Sequence, residues 1–131
     1  MRGFPDSHKD LLDDATKAFA YLATLMPDGS PQLTPLWFNT DAEHILVNSA
    51  RGRVKDRNMR TNPRVALVIA DPRDPYRFVQ VRGRVTEITE KGALEHINVL
   101  SLKYRGDAWK ARPGQVRVTY KILPENASPD E

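Results

Sequence analysis

Basic residues are concentrated in one short segment of the chain, and their spacing suits the binding of an anion. Residues 51–64 include six Arg or Lys residues and one acid, a net charge of +5, whereas the rest of the 131-residue chain carries 14 bases and 16 acids. Gly52 is placed to turn the chain from a strand into a helix, whose first backbone N–H groups attract anions. Arg53 and Lys55, at the start of that helix, can add a guanidinium fork and a compact ammonium group. A solvated basic helix face is the alternative interpretation.

Few other residues have the types and spacing that chemistry requires. The histidines, His8, His44 and His96, are scattered without metal-ligand spacing, and the chain has no cysteine. Thiolate metal sites, disulfides and cysteine nucleophiles are therefore excluded. The sequence also lacks a nucleophile elbow, a dinucleotide-binding GxGxxG motif and a P-loop. We assign no catalytic side chain and no metal site, so any reaction is expected to depend on a cofactor.

The elements that must position these residues are mostly strands. Alternating or continuous apolar runs predict six strands, and apolar residues at helical spacing predict three short helices. The predicted strands cover residues 19–25, 31–39, 44–49, 64–70, 77–89 and 115–123, and the predicted helices cover residues 7–18, 55–61 and 91–104. Short strands joined by turns, without regular strand–helix alternation, favour a small antiparallel barrel over a parallel sheet.

The length of the chain fits one domain. We predict a single domain over residues 1–123, followed by a polar and disordered tail over residues 124–131. No apolar run approaches the roughly 20 residues that span a bilayer, and residues 1–10 do not have the pattern of a signal peptide. We therefore expect a cytoplasmic protein without a membrane segment. The local rather than general basicity argues against nucleic acid as a partner.

Three runs of the sequence resemble one family. Residues 29–38, the block RVKDRNMRTNPRVAL at 53–67 and the run VRGRV at 81–85 are similar to the pyridoxamine 5'-phosphate oxidase-like split-barrel superfamily. Within it, the sequence most resembles the deazaflavin-dependent reductases, which use coenzyme F420. The resemblance covers roughly residues 8–123, and its most specific part is the basic block.

The resemblance implies a mainly β fold with short helices, a six-stranded antiparallel split β-barrel of the FMN-binding type. It also implies a homodimer with cofactor sites at the subunit interface. Arg53 and Lys55 would hold the cofactor phosphate, the ring would lie along residues 34–37 and 47–49, and residues 76–78 would come from the second subunit. The implied cofactor-binding residues are Gln32, Thr34, Pro35, Leu36, Trp37, Val47, Asn48, Ser49, Arg53, Lys55, Asn58, Tyr76, Arg77 and Phe78.

The function that the resemblance implies is hydride transfer from reduced F420 to a small, electron-poor acceptor. An FMN-dependent oxidoreductase of the same fold and a non-catalytic carrier of F420 or haem are the alternatives. Pyridoxamine phosphate oxidases have an Arg-x-His element where this sequence has Arg117-Val118-Thr119, so vitamin B6 oxidase activity is not expected. Arg51, Arg57 and Arg60 are candidates for contacts to the polyanionic tail of F420, and solvated surface residues are the alternative.

Four aromatic residues could frame an apolar pocket for the acceptor. They are Trp37, Tyr76, Phe78 and Trp109. Packing in the core or between subunits is the alternative for each of them, and packing is favoured for Trp109.

Overall fold

The computed structural model describes residues 1–130, which form seven strands and two α-helices. Two short 3-10 segments, Asp6–Leu12 and Asp14–Thr16, precede the first strand. The strands are β1 Phe19–Leu25, β2 Pro31–Leu36, β3 Phe38–Thr40, β4 Ile45–Ala50, β5 Arg64–Asp71, β6 Asp74–Thr89 and β7 Arg117–Pro129, and the helices are α1 Val54–Thr61 and α2 Ala93–Arg105.

The two edges of the sheet are consecutive in the chain. The strand order is β2-β1-β5-β6-β7-β4-β3, and all neighbouring strands are antiparallel. β2 ends at Leu36 and β3 begins at Phe38, so Trp37 alone separates the two outermost strands. Two residues span at most roughly 7 Å of extended chain. The sheet must therefore curl until its edges meet at Trp37, a point that we call the seam.

This closure confirms the predicted antiparallel split barrel and corrects its strand count from six to seven. The sequence predicts one strand over residues 31–39, and the structure divides it at Trp37. The division has a topological reason, because β2 pairs with β1 while β3 pairs with β4 at the opposite edge. Pro35 lies on an edge strand, where the absence of a backbone N–H is tolerated because β2 pairs with β1 alone.

Side chains that point into the curled sheet form one core. Tyr120, Phe38, Leu22, Ile69 and Val79 belong to it and are fully buried. Their strands alternate between buried and more exposed positions, as expected for a sheet with one face in the core. Burying each such side chain stabilises the fold by about 1.5–3 kcal/mol.

The predicted helices at residues 55–61 and 91–104 are confirmed as α1 and α2, with ends that differ by one or two residues. The predicted helix over residues 7–18 is wrong, because this part forms two 3-10 segments instead. Asp13 interrupts it with an extended backbone (φ −69°, ψ 141°), which breaks the hydrogen-bonding pattern of an α-helix. Within residues 1–130, no helix is both long enough and apolar enough to cross a membrane.

The predicted tail is largely part of the sheet. Residues 124–129 form the second half of β7, which pairs with Val79–Gly83 of β6, and the backbone N–H of Asp130 donates to the carbonyl oxygen of Phe78 at 2.8 Å. Glu131 lies outside the described residues. The polar composition suggested disorder, but an exposed strand that pairs through its backbone needs few apolar side chains.

Gly83 lies on β6 next to a shift in the register between β6 and β7. A Cβ atom at Gly83 would overlap the backbone carbonyl of Leu123. We expect Gly83→Ala to destabilise the protein by about 1–3 kcal/mol, because the backbone of β7 must move to admit the methyl group. Gln80→Ala, at an exposed position of the same strand, should change stability by less than about 0.5 kcal/mol. Equal unfolding midpoints in urea for the two variants would contradict this account.

Candidate functional site

An open cleft lies at the seam, where three parts of the chain meet. Its volume is about 630 Å³. β1 and β2 form one side, β4 and the start of α1 form another, and α2 with the loop after it closes the third. The residues that line the cleft are Phe19, Tyr21, Thr34, Pro35, Leu36, Trp37, Asn48, Arg53, Lys55, Ile97, Leu100 and Trp109.

Stacked aromatic rings hold the seam together. Tyr104 of α2 lies between Phe19 and Trp37, with 5.4 Å between ring centroids on each side. Trp109 contacts Trp37 edge-on, at 6.3 Å and an interplanar angle of 86°. The Tyr104 hydroxyl donates to the carbonyl oxygen of Ala18 at 2.5 Å, and burial raises the pKa of Tyr104 to about 12. Phe19, Trp37 and Trp109 also line the cleft, so these rings give it apolar aromatic surface of the kind that a planar ring system can contact.

The opposite end of the cleft is basic, and a buried carboxylate fixes its geometry. Asp56 accepts hydrogen bonds from the Tyr120 hydroxyl at 2.5 Å, the Gly52 N–H at 2.9 Å and Arg60 Nε at 3.0 Å. Burial alone would raise the pKa of Asp56, but these hydrogen bonds outweigh burial and hold the pKa below its usual value. The turn at Gly52 is thereby locked, and Arg53 stands at the start of α1, as the sequence predicts.

Arg117 is a buried basic residue that lies beside the cleft without lining it, and the sequence analysis did not assign it. It is only 8% exposed, donates from Nε to Asn48 Oδ1 at 2.9 Å and lies 5.0 Å from the centre of the Trp109 ring. Burial and the nearby charge of Arg53 lower the pKa of Arg117 to about 10. Little in the sequence marks Arg117 as a site residue, because it lies far from the basic segment and begins a strand with ordinary alternation of apolar and polar residues.

The basic side chains in and beside the cleft repel one another: Arg53 and Lys55 line it, whereas Arg112 and Arg117 lie next to it, over the Trp109 ring. Among residues 1–130, Arg53, Lys55, Arg112 and Arg117 form no ion pair within 4 Å. Burial and the charges of Arg53 and Arg117 lower the pKa of Lys55. The indole N–H of Trp109, close by, is buried and has no hydrogen-bond partner in this part of the chain. An anion would relieve this repulsion, so the residues present fit a phosphate-bearing ligand.

The other basic residues of the segment are engaged within the chain itself. Arg51 pairs with Glu90, Arg57 donates to the carbonyl oxygen of Gly52 at 2.7 Å, and Arg60 pairs with Asp56. None of the three arginines lines the cleft. The structure therefore gives no support to the expectation that they extend the anion site, whereas Arg117 and Arg112 lie over the Trp109 ring next to the cleft.

Half of the predicted cofactor residues line the cleft. They are Thr34, Pro35, Leu36, Trp37, Asn48, Arg53 and Lys55. Five further lining residues were not predicted, because β1 and α2 have the pattern of ordinary core elements and packing was favoured for Trp109. They are Phe19, Tyr21, Ile97, Leu100 and Trp109.

Four predicted residues lie next to the cleft without lining it. Val47 and Ser49 alternate with Asn48 along β4, so their side chains point to the opposite side of the strand, where Val47 joins the core. Gln32 donates to the Thr34 hydroxyl at 2.5 Å, and Asn58 donates to the Thr24 hydroxyl at 3.0 Å. A role in binding for these residues stays a prediction.

The three remaining predicted residues, Tyr76, Arg77 and Phe78, do not line the cleft of their own chain. Tyr76 is 84% exposed, and Arg77 pairs with Asp10 and Asp71. Their predicted contribution to the site of a second subunit stays a prediction.

Comparison with known proteins identifies the family. Residues 4–126 match the family model described as pyridoxamine 5'-phosphate oxidase, which is nearly the whole chain. The chain belongs to this family. A solved structure named F420 reductase is 32% identical, with a TM-score of 0.83 over 95% of this chain and 98% of that one. The resemblance to the split-barrel superfamily and its deazaflavin branch is therefore confirmed.

More distant structures share the fold of this family alone. A conserved hypothetical protein from Mycobacterium tuberculosis is 22% identical, with a TM-score of 0.75 over 100% of this chain and 88% of that one. General Stress Protein 26 from Bacillus anthracis is 23% identical, with a TM-score of 0.68 over 94% of both chains. The pyridoxamine 5'-phosphate oxidase family includes oxidoreductases, and the split barrel is common to the members compared.

In this member of the family, a neutral histidine supports the cleft from behind. His96 Nε2 lies 2.8 Å from Asn39 Oδ1, and His96 Nδ1 lies 3.1 Å from both Asn48 Nδ2 and Thr119 Oγ1. The ring satisfies these partners when Nε2 donates and Nδ1 accepts, which requires a neutral imidazole. Burial and the charge of Arg117 lower the pKa of His96 to about 4. His96 therefore orients Asn48, which in turn holds Arg117.

The lowered pKa of His96 makes stability depend on pH. The usual pKa of histidine is about 6.5, and the pKa of His96 in the folded protein is about 4. Between these two pH values His96 is protonated in the unfolded chain and neutral in the folded protein. Stability should fall as the pH falls through this window, with a slope approaching about 1.4 kcal/mol per pH unit.

His96→Gln should flatten this slope, because glutamine does not titrate. Urea unfolding at pH values between 7.5 and 4.5 measures it. His44→Gln, at a turn where the ring contacts Asp41, should keep the slope of the wild type. The same slope in His96→Gln as in the wild type would contradict the assignment.

Proposed function

We propose that the protein is an F420-dependent oxidoreductase that reduces a small, electron-poor acceptor. The observation that carries the proposal is that Arg53 and Lys55, with the charge of Arg117 near them, lie at one end of an aromatic cleft without a carboxylate partner within residues 1–130. A phosphate with an attached planar ring has the charge and shape that such a cleft accommodates. The structure at 32% identity, named F420 reductase, supports the deazaflavin over other ligands.

The residues of the cleft would divide the binding work. Arg53 and Lys55 would hold the phosphate and the nearby charge of Arg117 would strengthen its binding, while Trp37, Pro35 and their neighbours on β2 would contact the ring. The bound cofactor, in its reduced form, supplies a hydride to the acceptor. The protein contributes orientation and exclusion of water. No carboxylate and no imidazole is among the described residues that line the cleft, so the proton that completes a reduction would come from solvent.

FMN is the second candidate cofactor, because it also joins a phosphate to a three-ring system. The matched family, pyridoxamine 5'-phosphate oxidase, favours it, and the basic cluster would serve either molecule. Titration of the purified protein with F420 and with FMN, followed by Trp fluorescence, separates the two. Tighter binding of F420 supports the proposal, tighter binding of FMN transfers it to the flavin branch, and binding of neither overturns it. Turnover of reduced F420 with a panel of electron-poor acceptors then separates an enzyme from a carrier.

The basic cluster should account for much of the affinity. We expect Arg53→Ala or Lys55→Ala to weaken cofactor binding roughly tenfold to a hundredfold, since each removes a charge-assisted hydrogen bond of about 1.5–3 kcal/mol. Arg57→Ala is the matched control, because this arginine lies in the same segment, contacts the carbonyl oxygen of Gly52 and does not line the cleft. An equal loss of affinity in Arg57→Ala would indicate a general charge effect and contradict a specific phosphate site.

The proposal includes a homodimer formed through the outer face of β2, β1 and β5. Leu33, Tyr21 and Phe19 lie on this face, and Leu33 is 68% exposed. The strand register places Leu33 opposite Ala23, and Tyr21 between Pro35 and Val68, so the apolar side chains form one continuous area. Apolar areas of this kind mark interfaces, and a second copy on it would bring the hairpin of β5 and β6, with residues 76–78, within reach of a neighbouring cleft.

Leu33→Asp should convert the dimer to a monomer, because a carboxylate would be buried between the two sheets. Light scattering after size-exclusion chromatography measures the change in mass. Leu102→Asp, at an exposed leucine of α2, should leave the mass unchanged. A wild-type protein that is monomeric at micromolar concentration would contradict the dimer.

A small-molecule substrate and a cytoplasmic location complete the proposal.

A further inference from the structure

Four polar side chains form a hydrogen-bonded chain from helix α1 to the cleft. Asn58 Nδ2 lies 3.0 Å from Thr24 Oγ1, Thr24 Oγ1 lies 2.8 Å from Gln32 Oε1, and Gln32 Nε2 lies 2.5 Å from Thr34 Oγ1. Asn58 and Thr24 are buried, with 4% and 1% exposure. Thr34 is the member that lines the cleft. The Asn58–Thr34 chain therefore connects the protein interior to the wall of the candidate site.

Each hydrogen bond of the Asn58–Thr34 chain has a fixed direction. Asn58 Nδ2 also lies 3.3 Å from the sulfur of Met26, which can accept a hydrogen bond but cannot donate one. Asn58 therefore donates to Thr24, and the single hydroxyl proton of Thr24 goes to the carbonyl oxygen of Gln32. The amide nitrogen of Gln32, on the other side of the same group, donates to Thr34.

This direction leaves the proton of Thr34 available. A hydroxyl has one proton and two acceptor positions, and the oxygen of Thr34 already accepts from Gln32. Within residues 1–130, the Thr34 hydroxyl donates to no acceptor. Rotation of the hydroxyl back toward Gln32 Nε2 would bring two donors together, which is unfavourable. The proton is therefore turned away from Gln32.

We propose that the Thr34 hydroxyl donates a hydrogen bond to the ligand in the cleft, and that Gln32, Thr24 and Asn58 are positioning residues that set its direction. The inference rests on the proposed function, since the ligand is the ring-bearing cofactor. The ligand must present an acceptor to Thr34, such as a carbonyl oxygen or an unprotonated ring nitrogen. Gln32 and Asn58, which the sequence assigns to cofactor binding, then act through Thr34 rather than by direct contact.

Substitution of Thr34 tests the donor directly. Thr34→Val keeps the shape of the side chain and removes the hydroxyl, so we expect F420 and FMN to bind roughly fivefold to tenfold more weakly, the effect of one uncharged hydrogen bond. Thr34→Ser restores the hydroxyl and should bind within about twofold of the wild type. The absorption band of the bound cofactor should shift in Thr34→Val and return in Thr34→Ser, which a change in folding alone would not produce.

Gln32→Glu tests the direction of the Asn58–Thr34 chain. The carboxylate has the same shape but no N–H, so it would accept the proton of Thr34 and withdraw it from the ligand. Its negative charge would also repel an anionic cofactor, and this second effect is present whether or not residue 34 has a hydroxyl. The loss caused by Gln32→Glu should therefore be about fivefold to tenfold larger in the wild-type background than in the Thr34→Val background.

The outcomes separate this inference from the proposed function. If the wild type binds F420 or FMN and Thr34→Val binds it equally tightly, the donor role is overturned while the proposed function stands. Equal losses from Gln32→Glu in both backgrounds would overturn the positioning role of Gln32. If the wild type binds neither cofactor, the proposed function fails and the inference fails with it. Weaker binding in Thr34→Val, rescue by Thr34→Ser and the difference between backgrounds would together support the inference.

Discussion

A single residue, Trp37, joins the two edge strands of the sheet, and this covalent link forces the sheet to close. Closure at one residue leaves no room for a regular ladder between β2 and β3, so the barrel is split at the seam. Side chains that would be covered in a continuous sheet are left to line a cleft there. The stack of Phe19, Tyr104 and Trp37 holds the two edges in place. The position of the cleft is therefore a consequence of topology before any functional residue is considered.

The polar groups around the seam are of two kinds. Asp56 is buried, His96 is half-buried, and both are hydrogen-bonded: Asp56 fixes the turn that presents Arg53, and His96 orients the amide that holds Arg117. Of the groups that they position, Arg53 forms no ion pair within residues 1–130, and Arg117 is held by Asn48 and Gln115 but has no carboxylate partner there. This arrangement is typical of a preorganised binding site, in which the supporting residues are satisfied and the contacting residues are not. It also explains why the charge of the basic segment is divided, since Arg60 serves the support and Arg53 serves the cleft.

Local patterns were sufficient to predict much of the fold. Alternation of apolar residues located the strands to within a few residues, and the basic block located the start of α1 and two cations of the site. The division at Trp37 was not predictable, because it depends on which strands pair with each other. The residue types at positions 31–39 do not indicate this pairing. The strand over residues 124–129 was missed for a related reason. Its hydrogen bonds are made by the backbone, and its polar side chains lack the apolar alternation by which strands are predicted. Arg117 was missed because its role arises from a contact across the sheet.

The cluster of Arg53, Lys55 and Arg117 is a liability in the free protein. Arg117 is buried with like charges beside it, and its pKa is lowered as a result. Burying a charge without a partner destabilises a fold, and an uncharged residue that kept the hydrogen bond to Asn48 would remove the repulsion. Asn48 and Gln115 hold the guanidinium over the Trp109 ring, but no carboxylate within residues 1–130 neutralises its charge. A buried charge with no opposite charge beside it is well explained by a ligand that supplies the missing negative charge, and the aromatic rings near Arg117 favour an anion that carries a flat, apolar body.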